Sequence, residues 1–383
     1  MQALIRDALE AGAIGFASSQ SQNHAGYGGV PMPSRLADEA ELRALVGVLR
    51  EAGKGLFQIT VGPHIKVAFL ESLAADCARP VIFSALFQND AFPKRAPTML
   101  AQSQEAHARG HRVYAQVACH PLTMEFTLAN AYPMQSLEVW AALRGADQET
   151  LQIAYRKADF RRAFRDQLAH PAKGKLFYGN WRNVDINQVA DPRHRELEGL
   201  NIADAAAQRG VDPVDLFFDL GLAERLQTLF SAKLLNVDEN KVEPLLRHSA
   251  SIISLSDAGA HLSYLCDAGF GLNLLGHWVR DRHTFTLEEA IRQLTSWPAA
   301  IYGITDRGRI TVGAYADLML FDPDSVGISG LKRVHDLPAG GSRMIRESRG
   351  LHGVWVNGAQ VWEPAGYRDL ATAPGMILDR FSA

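Results

Sequence analysis

The sequence has no apolar run longer than a strand, so no segment is fit to cross a bilayer, which takes about twenty consecutive apolar residues. It has only three cysteines, Cys77, Cys119 and Cys266, odd in number and widely spaced. That excludes a disulfide framework and suits a reducing cytoplasm. It has no excess of positive charge: 39 basic residues against 42 acidic ones leave a net charge of −3. Without a basic stripe, nucleic-acid binding has no electrostatic support. The opening MQALIRDALEAG reads as an amphipathic helix with acidic residues rather than a signal peptide. What is present is ordinary for a globular protein, with 47% hydrophobic and 21% charged residues. At 383 residues the chain has material for about two domains.

Along the chain, strand and helix patterns alternate. A helix over Leu4 to Ala11 stops at Gly12, and AIGFASS, Ala13 to Ser19, follows as a buried strand. Next come helix Glu39 to Ala52, strand Leu56 to Val61, helix Val67 to Cys77, strand Pro80 to Phe87, helix Thr98 to Ala108 and strand Arg112 to Ala118. This alternation argues for βαβ units and a parallel sheet with right-handed crossovers. From Leu137 to Gln167 the pattern is helical, an insertion that either covers the strand ends or packs outside. Leu176 to Tyr178 is a short strand candidate, and Ile202 to Gln208 and Pro213 to Gly221 are helices. Beyond helix Leu287 to Thr295 the composition shifts. Gly308 to Asp322 and Gly353 to Trp362 read as β-hairpin material, with Asn357-Gly358 as a type I′ turn signal. The expected domains are therefore 1–305, an α/β barrel with a helical insertion around 137–200, and 306–383, a small β domain.

The stretch that organises the reading is SIISLSDAGAHLSYLCDAGFGLNLLGHWVR, Ser251 to Arg280. Ser251 to Ser256 reads as a buried parallel strand with Asp257 at its carboxyl end, the end where a (β/α) barrel carries its chemistry. A carboxylate there can bind a metal or take a proton from a bound water. The plainer alternative is an Asp opening a surface loop, with His261 solvated.

SLSDAGAH, LLGHWVRD, LEEAIRQLTSWPAAIYGI and DRGRITVGAYADLMLFDPDSVG, in that order over Ser251 to Val326, resemble the amidohydrolase superfamily, specifically its N-acyl-D-amino-acid deacylase (D-aminoacylase) branch. The resemblance implies a partial (β/α)8 TIM barrel with a small C-terminal portion of a β-sandwich. It also implies amide hydrolysis by zinc-activated water, with Asp257 as general acid and base. The same resemblance marks departures. The family's first strand carries a His-x-His metal pair, and His-x-His occurs nowhere in this sequence. Taking AIGFASS as the fourth strand, the two following ligand positions fall on Thr60 and on Ala85 or Leu86, which cannot bind zinc. A branch with a carboxylated Lys on the fourth strand is disfavoured, because AIGFASS has no Lys.

The sequence holds other possible donors. His107 and His111 lie before a strand, on the face opposite the expected site, and read as helix-end residues. His120, next to Cys119 at a strand's carboxyl end, is a metal candidate beside Asp257. His64 follows the strand holding Thr60, and His261 is a pocket candidate. For the carboxylate of an N-acyl amino acid, Arg35 is the best placed two-pronged donor. Arg280 reads as an outward salt bridge, and Asp267 as the cap of the next helix. Five strands would leave two edges, so the chain is expected to be incomplete, half of a two-chain enzyme, a degenerate homologue, or a dimer across its edges. Two functions follow. One is a hydrolase of carbon–nitrogen bonds in a small N-acyl amino acid or related amide, with zinc held largely by a complementing chain. The other is a catalytically inactive binding or assembly subunit.

Overall fold

Why Asp257 and His120 end up on one side of the molecule follows from a single parallel sheet. The computed structural model describes residues 1–24, 26, 30–172, 174–257, 259, 260 and 262–381. The sheet's strands are β1 (Gly15–Ser19), β2 (Leu56–Thr60), β3 (Val81–Leu86) and β4 (Val113–Val117), with β8 (Ser251–Ile253) added after a long excursion. They lie in the order β1-β2-β3-β4-β8, every pair parallel. Within the described residues β1 and β8 are the sheet's two edges, so this is part of a (β/α)8 barrel rather than a closed one. Helix α1 (Gln2–Glu10) precedes β1, and the crossover helices are α2 (Glu39–Ala52), α3 (Val67–Cys77) and α4 (Arg95–Ala108). Helix α2 shows how local sequence sets their limits. The Asp38 side chain accepts from the Glu41 amide at 2.8 Å, and Gly53 ends the helix at φ 63°, which a residue with a Cβ adopts only at a cost.

The two faces of the sheet differ because neighbouring strand residues point opposite ways. Phe57, Ile59, Phe83, Ala115, Val117 and Ile253 join the core under the helices. Leu56, Ile82, Tyr114 and Ile252 point to the other face and meet Ile301 and Trp297. Toward the carboxyl ends that inner face turns polar. Gln58 donates to Gln116 at 2.7 Å, Gln116 donates to Ser254 at 3.1 Å, and Thr60 and Ser84 share a hydrogen bond of 3.1 Å.

Between β4 and β8 the chain builds a layer of its own: antiparallel strands β5 (Leu122–Phe126), β6 (Val184–Gln188) and β7 (Leu229–Leu235), in the order β5-β7-β6. Around them pack α5 (Gln148–Arg156), α6 (Ala158–Ala169), α7 (Ile202–Arg209) and α8 (Pro213–Ala223). Their separate core holds Trp140, Tyr155, Phe164, Phe217, Phe218 and Phe230. The helices were expected, whereas this sheet was not. Thr228 to Leu235 belongs to it, and Leu176 to Tyr178 forms no strand. After helix α9 (Glu239–Leu246) and β8, helices α10 (Phe270–Asn273), α11 (Leu287–Leu294) and α12 (Ser296–Tyr302) lead to the C-terminal β region.

That region contains β9 (Leu318–Phe321), β10 (Gly327–Ile328), β11 (Lys332–Leu337), β12 (Gly341–Ile345), β13 (Ser348–Arg349), β14 (Leu351–Val356), β15 (Ala359–Glu363) and β16 (Gly366–Tyr367). The Asn357-Gly358 turn does join a hairpin, β14 with β15, both turn residues having positive φ. Gly308 to Asp322 is not a hairpin: its one strand, β9, pairs with β14.

One buried side chain fastens the inserted layer to the barrel. Asn236, just past β7 at φ 58°, accepts from the Gln88 amide at 2.7 Å and donates to the Ala118 carbonyl at 2.9 Å. Asn236→Ala leaves both buried backbone groups without partners and keeps the unfavourable φ. We expect it to cost about 3 kcal/mol in urea unfolding. Asn236→Gly, which relieves the backbone but not the bonds, should recover less than half of that.

Candidate active site

The inner face ends in two short segments. Strand β8 stops at Ile253, sooner than its apolar run suggests, because Ser254 and Leu255 turn their amides onto the Val117 carbonyl at 3.3 Å each. Asp257 therefore stands four residues past the strand, exposed, in the loop at its carboxyl end. Opposite it, the segment after β4 is held rigidly. The Cys119 carbonyl accepts from Trp278 Nε1 at 2.6 Å and from Asn273 Nδ2 at 3.0 Å, while the Ala118 carbonyl is taken by Asn236. This fixes the main chain before His120, a residue only 8% exposed.

His120 meets Asp267 rather than a ligand cluster. Its Nδ1 lies 3.6 Å from Asp267 Oδ1 and 3.4 Å from the Pro121 carbonyl, and its Nε2 is buried with no hydrogen-bond partner among the described residues. Asp267, expected as a helix cap, is not one. Helix α10 begins at Gly269 with no side-chain cap, and Asp267 is buried against His120. Burial pushes its carboxyl above the usual range; His120 and Arg346 pull it back, while the nearby charge of Asp257 pushes it up again. Tyr132 and Tyr264, with rings 5.3 Å apart, also feel Asp257. Burial raises both hydroxyls first; Asp257 follows for Tyr132, and Tyr132 and then Asp257 for Tyr264. Asp257, Asp267, His120, Tyr132, Tyr264 and Arg346 thus form one electrostatic neighbourhood.

The C-terminal region steadies this loop. Arg333 on β11 pairs with the buried Glu125 of β5 and donates to the Ser263 carbonyl at 2.8 Å. Arg346 donates to the carbonyls of Cys266 at 3.0 Å and Ser329 at 3.2 Å, and the Met344 amide reaches the Leu262 carbonyl at 2.8 Å.

The remaining candidates separate by position. Arg35 sits half-buried in a turn of 3-10 helix, Pro33–Leu36, beyond the carboxyl end of β1, with Nη1 3.3 Å from the His24 carbonyl. His64 is exposed. His261 lies outside the described residues. His107 bonds the Val113 carbonyl at 2.8 Å, and His111 bonds Glu71 at 2.9 Å, both in structural roles. Arg280 pairs with Asp281 and the Val326 carbonyl.

Zinc, implied by the resemblance, needs three or four converging donors. The donor set does not fit it: among the described residues no group of three or more His, Cys, Asp or Glu is placed to hold a metal ion. Thr60 is engaged with Ser84, and Ala85 and Leu86 have no donor atom. The Cys119 thiol turns to the Phe270 carbonyl and is pushed up to about 12 by burial, far from the thiolate that zinc needs.

Comparison with known proteins adds the following. The amidohydrolase family profile matches residues 1–362. N-acyl-D-glutamate deacylase of Alcaligenes xylosoxydans xylosoxydans is 27% identical over 394 aligned residues, covering 99% of this chain and 64% of that protein. D-aminoacylase of the same organism is 30% identical over 190, covering 49% of this chain and 35% of that protein. In structure, the N-acyl-D-glutamate deacylase of Bordetella bronchiseptica, complexed with zinc and a phosphonate inhibitor, superposes with a TM-score of 0.56 at 22% identity. The match covers 99% of this chain and 65% of that one. A D-aminoacylase gives 0.53 at 23% identity, covering 96% and 63%. The chain thus spans less than two thirds of each of these relatives.

Two measurements check this description. Elemental analysis of the purified chain should find well under one zinc per chain; a full equivalent, lost in Asp257→Ala, would show that a site assembles after all. Separately, Arg109 and then His111 hold the Glu71 carboxyl down to about 2, against an ordinary 4.5. A folded-state value below the unfolded one means stabilisation that is complete above pH 4.5 and lost as the pH falls toward 2. Unfolding midpoints should drop across that window, and Glu71→Gln should flatten part of the drop.

Proposed function

Since the chain belongs to the amidohydrolase family, we propose that it hydrolyses the carbon–nitrogen bond of a linear amide, and that its substrate is an N-acyl amino acid. The observation that carries this is Asp257 at the carboxyl end of β8, beside Tyr132, Tyr264 and the His120–Asp267 pair. The relatives named for deacylating N-acyl-D-glutamate and other D-amino acids support the substrate class and suggest the D series.

The chemistry asks for a proton to leave water as its oxygen bonds the acyl carbon, and for a proton to reach the nitrogen as the C–N bond breaks. Asp257, exposed at the strand ends, is the carrier between the two. Arg35, beyond the carboxyl end of β1 at the sheet's other edge, is the proposed partner of the substrate carboxylate. The Bordetella bronchiseptica deacylase was solved with zinc; here no step is assigned to a metal, because the described donors do not fit. No helix among the described residues is long and apolar enough to cross a membrane. Three free, buried cysteines suit a cytoplasmic setting.

The test is release of free amino acid from N-acetyl-D-amino acids, glutamate and aspartate included, with the L series as control. Asp257→Asn should lower kcat by about 10²-fold or more while changing stability by less than about 0.5 kcal/mol, since the side chain is exposed. A folded wild type inert on both series would remove the hydrolase reading and favour a binding or assembly role.

A further inference from the structure

The proposed reaction leaves the imidazole of His120 without a role, and its surroundings bear on which nitrogen carries its proton. Both neighbours of Nδ1, the Asp267 carboxylate at 3.6 Å and the Pro121 carbonyl at 3.4 Å, are acceptors. In the neutral ring the proton therefore belongs on Nδ1, and Nε2 presents a bare lone pair. That nitrogen is buried with no donor among the described residues, and a buried polar atom left unmatched is unfavourable. The main chain leading to His120 is held in place: the two residues before it have their carbonyls bound by Trp278, Asn273 and Asn236. Strand pairing sets its neighbourhood. Val117 of β4 lies opposite Ile253 of β8, and His120 and Asp257 follow these two residues at the same, carboxyl end of the sheet. Asp267 senses both.

We propose that His120 Nε2 is a second proton acceptor of this site, oriented by Asp267 and used on the hydrolytic water. The inference rests on the hydrolase reading above and divides its proton transfer in two. Nε2 takes a proton from water as the water oxygen bonds the acyl carbon. When the C–N bond breaks, that proton passes by way of Asp257 to the departing nitrogen, and the imidazole is neutral again. One water is consumed, and one carboxylic acid and one amine are released. Asp267 touches no reacting atom and acts as a positioning residue.

The variants separate a chemical role from a structural one. His120→Asn keeps an amide N–H where Nδ1 faces Asp267 but removes Nε2. It should fold with an unchanged melting temperature, lose about 10²-fold in kcat on N-acetyl-D-glutamate, and keep KM within about threefold. Asp267→Ala should lower kcat about tenfold. Ring ¹⁵N spectra of the full chain, with the His120 signal assigned through His120→Asn, supply a readout that does not depend on turnover. The wild type should show Nδ1 protonated and Nε2 bare, and Asp267→Ala should show a mixture of tautomers. An active wild type with His120→Asn at wild-type kcat overturns the proposal. So does a ring carrying its proton on Nε2. A wild type inert on every N-acetyl amino acid overturns the hydrolase reading, and the ring spectra then decide the state of His120 alone.

Discussion

Everything chemical in this chain depends on the pairing of β8 with β4. Three residues, Ser251 to Ile253, lie against Ala115 to Val117, and no other strand supports β8 among those described. The pairing closes over the whole inserted layer, so it brings together segments far apart in sequence. Loop-closure entropy rises only slowly with loop length, and the insertion has an aromatic core of its own, so closure joins two largely self-supporting bodies. What the three-residue strand lacks in length, its flanks supply. Ser254 and Leu255 continue onto the Val117 carbonyl, and Trp297 reaches back to the Ser251 carbonyl at 3.0 Å.

The second constraint is the clamp on the loop beyond Asp257. Arg333, Arg346 and the Met344 amide take the carbonyls of Ser263, Cys266 and Leu262. The C-terminal β region thus acts as a backing plate for a loop whose described residues form no helix or strand before α10. The pair of Arg333 with Glu125 ties the same hairpin to β5. Barrel, inserted layer and C-terminal strands therefore meet around one loop. A buried carboxylate such as Asp267 is tolerable there because Arg346 and His120 face it.

How much of this was legible in the sequence follows from which interactions are local. The βα alternation through Ala118 was readable, because helix caps such as Asp38 and Gly53 and continuous apolar strands are properties of neighbouring residues. The inserted sheet was not. LTMEF and VDINQ are short, mix polar with apolar side chains, and acquire partners only when β7 returns between them. Asp257 was visible as the end of an apolar run, though β8 proved shorter than that run. The role of Asp267 was invisible: beside a Gly and a short helix it resembles a cap, and only the fold puts it against His120. His120 itself was readable as a strand-end histidine, but not its partner, and the partner decides what the ring can do.

That partner bears on how a metal-dependent family can include this donor set. At the carboxyl end of the inner face, where charged or thiolate donors would gather a cation, the strands instead carry an uncharged ladder: Gln58 to Gln116 to Ser254, and Thr60 to Ser84. Amides and hydroxyls that satisfy one another have little left to offer a divalent ion, and stripping them from each other to bind one would leave buried polar groups unmatched. The two carboxylates nearby are engaged differently. Asp267 is buried against His120 and Arg346, and Asp257 faces solvent. Asp267, influenced by both His120 and Asp257, links the two groups to which the proposed reading gives the proton transfers. The polar ladder then serves as a rigid floor for that chemistry, since hydrogen bonds spanning β2, β4 and the start of the β8 loop hold the strand ends in register.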